Sequence, residues 1–409
     1  MIKYSSIPVI KPPFPAMSIP IQHQSLPVIK AQTHLGILSD CEGPYKPTLA
    51  SLSKRPLPKW YDKAKFGIMI HWGVYSVPGY HYIYPRDKGK DTNGAEWYLR
   101  RLKCPQFCAP QDKDQTTRKF HAEEYGEGFD YYQFGEEFTL DKWNPDTWAK
   151  LFKRSGAKYV VITSKHHDGF ALWDAPNSYY WQKGKKYGPW NSVDIGPHRD
   201  IIGELATAVR KQGLKFGIYY SLLEWYNSLY TKDKRNKTTQ YVDEVVLPQL
   251  RDIVLKYKPD IIWFDGNWGA DVSYWKTLDF LAWLYNCSPV KDTVVVNDRL
   301  GKGTDGKYGD FFNYKDRYVP KTKPKHKWEN VMTISRGWGY NRLHNPKDFK
   351  SVDQLIEIIE ETVDLGGNVL MNIGPKADGT IVPQEKKRLL EIGEWIKNEG
   401  STLFSGTSK

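Results

Sequence analysis

The chain has 409 residues, a formal net charge of +12 and 14% aromatic residues. That length holds one large α/β barrel or two ordinary domains, with apolar residues enough for a full core. Much of the positive charge sits in lysine clusters, Lys183-Gly184-Lys185-Lys186 and Lys321 to Lys327, which read as solvated surface. No motif for nucleic-acid recognition accompanies them, so that class is set aside, and no apolar stretch approaches membrane-spanning length.

The 16 tryptophans and 27 tyrosines suit a protein that stacks sugars, although core packing can also use them. Four cysteines are present: Cys41, Cys104, Cys108 and Cys287. Cys104 and Cys108 are close enough in sequence for a local bridge, while a metal site lacks nearby partner ligands. The sequons Asn236-Lys237-Thr238 and Asn286-Cys287-Ser288 matter only in a secretory protein.

Residues 1–55 carry Pro8, Pro12, Pro13, Pro15, Pro20 and Pro27 without helical or strand periodicity. They are expected to be an extended or disordered leader, and the prolines interrupt any signal-peptide core. Ordered structure is expected from about Leu57, with residues 56–409 as a catalytic unit. Phe66 to Ile70 reads as the first strand. Asn144-Pro145 caps a helix carrying Trp148, Leu151 and Phe152, Gly156 stops it, and Tyr159 to Thr163 is the next strand.

The same unit recurs. Helical spacing in Ile201, Leu205, Ala208 and Val209 leads to the strand Lys215 to Tyr220. Leu250, Ile253, Val254 and Tyr257 lead to Ile261-Ile262-Trp263-Phe264-Asp265-Gly266. A helix over Tyr274 to Tyr285 precedes a strand over Thr293 to Asn297. Ser351 with Gln354 forms a capping box for a helix ending near Gly366, followed by the strand Asn368 to Ile373 and a last helix around Ile392 to Ile396. Alternating helices and strands argue a parallel sheet, most economically a (β/α)8-like TIM barrel. A doubly wound open sheet is the alternative, but no G-x-G-x-x-G follows the first strand.

In such a barrel chemistry gathers at the carboxyl ends of the strands. His71-Trp72-Gly73, Lys165-His166-His167-Asp168, Tyr219 and Tyr220 before Ser221, Asp265 and Asn297-Asp298-Arg299 all fall there. Asp265 shares a strand face with Trp263, an acid beside an indole, which suits a sugar pocket. His71, His166, His167 and Asp265 could form a His-carboxylate metal site. Adjacent histidines on a continuing strand would face opposite ways, and no H-x-H or H-E-x-x-H spacing is present.

Ten segments then occur in order between about Trp60 and Pro375: FGIMIHWG, AEWY, KHHDGF, VDIGPHRD, FGIYYSLLEW, PDIIWFDG, VVVNDR, HKWE, WGYNR and GGNVLMNIGP. Together they resemble the α-L-fucosidases of glycoside hydrolase family 29, closest to the animal tissue-type branch. The resemblance implies a retaining exo-glycosidase that removes terminal α-L-fucose from glycoprotein or glycolipid glycans through a covalent fucosyl-aspartate, without cofactor or metal. It makes Asp265 the nucleophile. His71, Glu96, Trp97, His166, His167, Tyr219, Trp263, Arg299 and Trp338 would bind the sugar.

For the acid/base, the position of the bacterial Glu falls on Lys315, which cannot serve. The animal-type loop points to Asp316, with Glu329 of HKWE as competitor; otherwise Glu329 would make a structural salt bridge on a strand. The chain ends soon after the last helix, so the family's C-terminal β-sandwich is expected to be mostly or wholly missing. The family implies a lysosomal or secreted protein, and a homo-oligomer is compatible with it. A catalytically impaired, lectin-like fucose binder is the competing class.

Overall fold

The computed structural model describes residues 41–85, 90–103 and 115–400. Cys104, Cys108 and the first 40 residues lie outside that set. Seven parallel strands form the main sheet: β1 Phe66–Ile70, β2 Tyr159–Lys165, β5 Lys215–Ser221, β6 Ile261–Asp265, β7 Val295–Val296, β8 Glu329–Thr333 and β9 Asn368–Ile373. Their spatial order is β7-β6-β5-β2-β1-β9-β8. The remaining two, β3 Tyr180–Gln182 and β4 Lys185–Tyr187, make a small antiparallel hairpin that sequence reasoning did not anticipate.

Strand alternation divides the side chains into two buried sets. Met69, Val161, Tyr219, Ile261, Trp263, Val295, Val331 and Leu370 pack together inside the sheet's curve. Their neighbours Ile68, Ile70, Val160, Ile162, Ile218, Ile262, Phe264, Val296 and Met371 pack outward against the helices. Asp265 thus inherits the inward face from Trp263.

The gap between β7 and β8 is bridged by residues 310–313. The Asp310 N–H donates to Val296 O (2.8 Å), Phe312 N–H to Lys327 O (2.9 Å) and Glu329 N–H to Phe312 O (2.9 Å). This short segment stands where an eighth strand would, and so completes a (β/α)8-like ring. It is entered through Gly309 at φ +135, where a Cβ would meet the Asn297 carbonyl at 2.8 Å.

The helices follow the expected logic. Asn144 accepts from Thr147 N–H, Pro145 takes the first turn, and the helix Pro145–Arg154 buries Trp148, Leu151 and Phe152, each worth about 1.5–3 kcal/mol of apolar burial. Ser351 and Gln354 form the capping box of the helix Val352–Asp364. The expected helix over Tyr274 to Tyr285 is broken: Lys276 adopts a left-handed φ of 52°, separating Val272–Trp275 from Thr277–Asn286. The strand expected over Thr293 to Asn297 shortens to Val295–Val296.

Structure extends upstream of Leu57. Leu49–Leu52 is a helical turn, Cys41 is bonded to Cys287, and Arg55 pairs with buried Asp310 at 3.0 Å. Asn286 spends its side chain on both backbone groups of Tyr45, whereas Asn236 is exposed. No β-sandwich is present among the described residues, and no helix among them is long and apolar enough to cross a membrane.

Candidate active site

A cavity of about 300 Å³ opens at the carboxyl ends of the strands. It is lined by His71, Glu96, Trp97, His166, His167, Tyr219, Trp263, Asp265, Arg299, Asp316 and Trp338. Asp265 closes β6, and Gly266 behind it takes φ +77, where a Cβ would crowd Leu223 at 2.9 Å. The chain therefore turns sharply and leaves the carboxylate at the cavity wall.

Three groups hold that carboxylate. Tyr219 Oη donates to Oδ2 at 2.7 Å, an Arg299 guanidinium N–H donates to Oδ1 at 2.8 Å, and His167 Nε2 lies 3.5 Å from Oδ2. Burial pushes the Asp265 pKa up, but the Arg299 charge with the His167 and Tyr219 contacts outweighs it and holds the group well below the carboxylate range. The same Arg299 reaches Asp316 with its other terminal nitrogen. Burial works against its charge too, yet the two carboxylates drive its pKa above the ordinary arginine value. Both carboxylates therefore converge on one guanidinium.

The neutral wall is as specific. His71 Nδ1 contacts Asn372 Oδ1 at 2.6 Å, and the Asn372 amide nitrogen donates to Trp338 O at 2.8 Å. The Asn oxygen must then accept, so His71 carries its proton on Nδ1 and turns a bare Nε2 outward. Burial lowers the His71 pKa against the pull of Glu96. His166, buried and beside two other imidazoles, is pushed well below the usual histidine value. Among the described residues its buried Nδ1 finds no hydrogen-bond partner. Glu96 accepts from Gly94 N–H at 2.6 Å and Gly339 N–H at 2.9 Å, keeping lone pairs for further donors.

His166 and His167 do not face opposite ways. The register between β2 and β5 slips between Thr163 and Lys165, the strand ends at Lys165, and both rings line the cavity with centroids 4.2 Å apart. Lys165 takes the outward place instead, its ammonium bonded to Glu224 at 2.7 Å. Among the described residues no group of three His, Cys, Asp or Glu side chains is arranged to hold a metal ion.

Residues 37–401 match the family model for α-L-fucosidase. The chain is 47% identical over 376 residues to an α-L-fucosidase of Branchiostoma floridae, covering 91% of this chain and 78% of that one. It is 45% identical over 367 residues to the tissue α-L-fucosidase of Bos taurus, covering 88% and 72%. The chain belongs to the α-L-fucosidase family. Among solved structures, it resembles the Thermotoga maritima α-fucosidase in complex with fucose, with a TM-score of 0.70 at 39% identity, covering 88% of this chain and 78% of that one.

One residue named from the fucosidase resemblance is not brought to the cavity. Glu329 lies fully buried on β8, beneath the floor. It accepts from Tyr61 Oη and Tyr159 Oη, both at 2.7 Å, from Trp263 Nε1 at 3.0 Å and from Asn313 Nδ2 at 3.3 Å. Among the described residues no salt bridge forms there, contrary to the structural expectation for it; its hydrogen-bond donors are all neutral. Four lining residues went unremarked in the sequence: Met69, Asn93, Trp268 and Val331. Met69 and Val331 follow from strand alternation. Trp268 stands three residues past Asp265, whereas Asn93 carries no local signal.

Proposed function

We propose that this fucosidase removes terminal α-L-fucose with retention, using Asp265 as nucleophile and Asp316 as acid/base. The observation that carries this reading is the pair of carboxylates held by one arginine at the wall of a sugar-sized cavity. Asp265, kept ionised by Arg299, attacks C1 of the fucoside. The C1–O bond breaks as Asp316 gives its proton to the departing oxygen, leaving a fucosyl ester on Asp265. Asp316 then takes a proton from water, whose oxygen attacks C1 and releases the aspartate. To donate, Asp316 must first be protonated and turn from Arg299; its side chain, 40% exposed, has room and solvent to do so.

The remaining residues suit a 6-deoxy sugar. The bare Nε2 of His71 and the free lone pairs of Glu96 offer bonds to ring hydroxyls, and the His166 ring lines the same wall. Trp263 and Trp338 offer an apolar wall to the C5 methyl. Arg299 stacks 4.6 Å from the Trp263 ring and Arg317 4.3 Å from Trp338, stiffening both walls. Glu329 we read as the group that fixes the Trp263 indole from below. A fucose-binding lectin would have no use for a nucleophile and an acid set around one cation, so the hydrolytic reading is preferred.

The substrates are fucosylated glycans of glycoproteins or glycolipids, and the compartment is lysosomal or extracellular. The Cys41–Cys287 disulfide supports an oxidising environment, as do relatives named for tissue and plasma. Residues 56–409 form the catalytic unit, braced by the segment from Cys41 to Arg55. The test is Asp265→Gly: release of nitrophenol from nitrophenyl α-L-fucoside should fall at least about a thousandfold. Added azide should restore part of it by forming fucosyl azide. Full activity in that variant would remove Asp265 from the mechanism.

A further inference from the structure

Of the 16 tryptophans, all within the described residues, Trp268 alone is exposed, at 49%. Leaving an indole half in water forfeits the burial that would normally stabilise the fold, so its position asks for a reason. The turn that carries it is firmly held. Asn267 Nδ2 reaches both Asp305 oxygens at 3.2 and 3.0 Å, Gly269 N–H donates to Gly266 O at 3.2 Å, and a Cβ at Gly269 would lie 2.3 Å from Tyr230 Oη. The ring meets His167 edge-on at 5.4 Å, and His167 in turn packs on Trp225 at 5.2 Å. The indole is therefore presented, not left over. It lines the cavity that holds Asp265, and three residues of chain place its Cα no more than about 11 Å from that nucleophile.

In an exo-acting pocket the terminal sugar fills the enclosed part, and only what is attached to C1 faces the opening. Trp97, Trp263 and Trp338 are the more buried rings and serve the enclosed part. From the exposure and fixed presentation of Trp268 we infer that it forms the platform for the sugar next to fucose. An aglycone hexopyranose, galactose or N-acetylglucosamine in type, would lay its C–H face on the indole. This inference rests on the fucosidase reading and deepens it. Such a platform selects by the shape of the second sugar and leaves chemistry at C1 to Asp265 and Asp316.

The experiment compares kcat/KM for α-L-fucosyl fluoride, whose leaving group is one atom, with that for fucosyl disaccharides to galactose and to N-acetylglucosamine. The best wild-type disaccharide is the reference. In Trp268→Ala the ratio of disaccharide to fluoride kcat/KM should fall about tenfold, and Trp268→Phe should recover most of it. A ratio that holds in Trp268→Ala overturns the inference, as does an equal loss on both substrates, which would mean that the ring touches fucose itself. Failure of Trp268→Phe to recover the ratio overturns stacking as the cause. Wild-type protein that turns over neither substrate would sink the fucosidase reading, and this inference with it.

Discussion

Two of the barrel's buried carboxylates, Asp265 at the mouth and Glu329 beneath the floor, have opposite fates. Glu329 accepts four hydrogen bonds, all from neutral donors, and burial still raises its pKa. Asp265 has Tyr219, Arg299 and His167, and its pKa is driven down. At Asp265 the Arg299 charge with the Tyr219 and His167 contacts outweighs burial, whereas Asp310 keeps a raised pKa even beside Arg55, so a cation within reach is not by itself decisive. Access then separates scaffold from chemistry, because Asp265 lines the cavity and Glu329 does not.

The largest expected effect would break the comparison if it fell on the wrong carboxylate. Asp316→Ala should lower kcat/KM on natural fucosides by about 10²–10⁴-fold while sparing substrates with good leaving groups such as fucosyl fluoride. Should Glu329→Gln show that signature instead, the floor would have to supply the proton. Next in size, Arg299→Met should cost about 10²–10³-fold. It should also move the acidic limb of the kcat/KM profile upward, because only the His167 and Tyr219 contacts would then offset the burial that raises the Asp265 pKa.

Smaller effects sharpen the contrast. Glu329→Leu strands two hydroxyls, an indole N–H and an amide, and should cost about 3 kcal/mol in urea unfolding. Glu329→Gln should cost less than about 1 kcal/mol, since an amide oxygen can face Trp263 and Asn313 while tyrosine hydroxyls turn to accept. The two carboxylates also predict opposite slopes of stability with pH. Asp265, with its depressed pKa, contributes stability above its unfolded value of ~3.9 that is lost as pH falls through the folded one. Glu329, with a raised pKa, loses stability as pH rises from ~4.3 toward its folded value, and Glu329→Gln should abolish that part of the slope.

Much of this arrangement was legible in the chain. Short apolar runs marked β1, β2, β5, β6 and β9, and alternation alone put Trp263 and Asp265 on one face. The strand β8 escaped because its inward position is a glutamate, a residue whose burial depends on tyrosines from Lys59–Ala64 and β2 that no local pattern connects. The paired histidines were misjudged because a register slip cannot be read from spacing. Residues 310–313, Asp310-Phe311-Phe312-Asn313, are too few to show a strand alternation in the sequence.

That closing segment has a further consequence. Asp316 lies three residues beyond Asn313, whose amide reaches Asn297 on one side and Glu329 on the other. The proposed proton donor is thus mounted on the last seam of the ring. Under the proposed roles, a chain in which that seam gapes would hold Asp265 without Asp316, and glycan cleavage would require the closed ring.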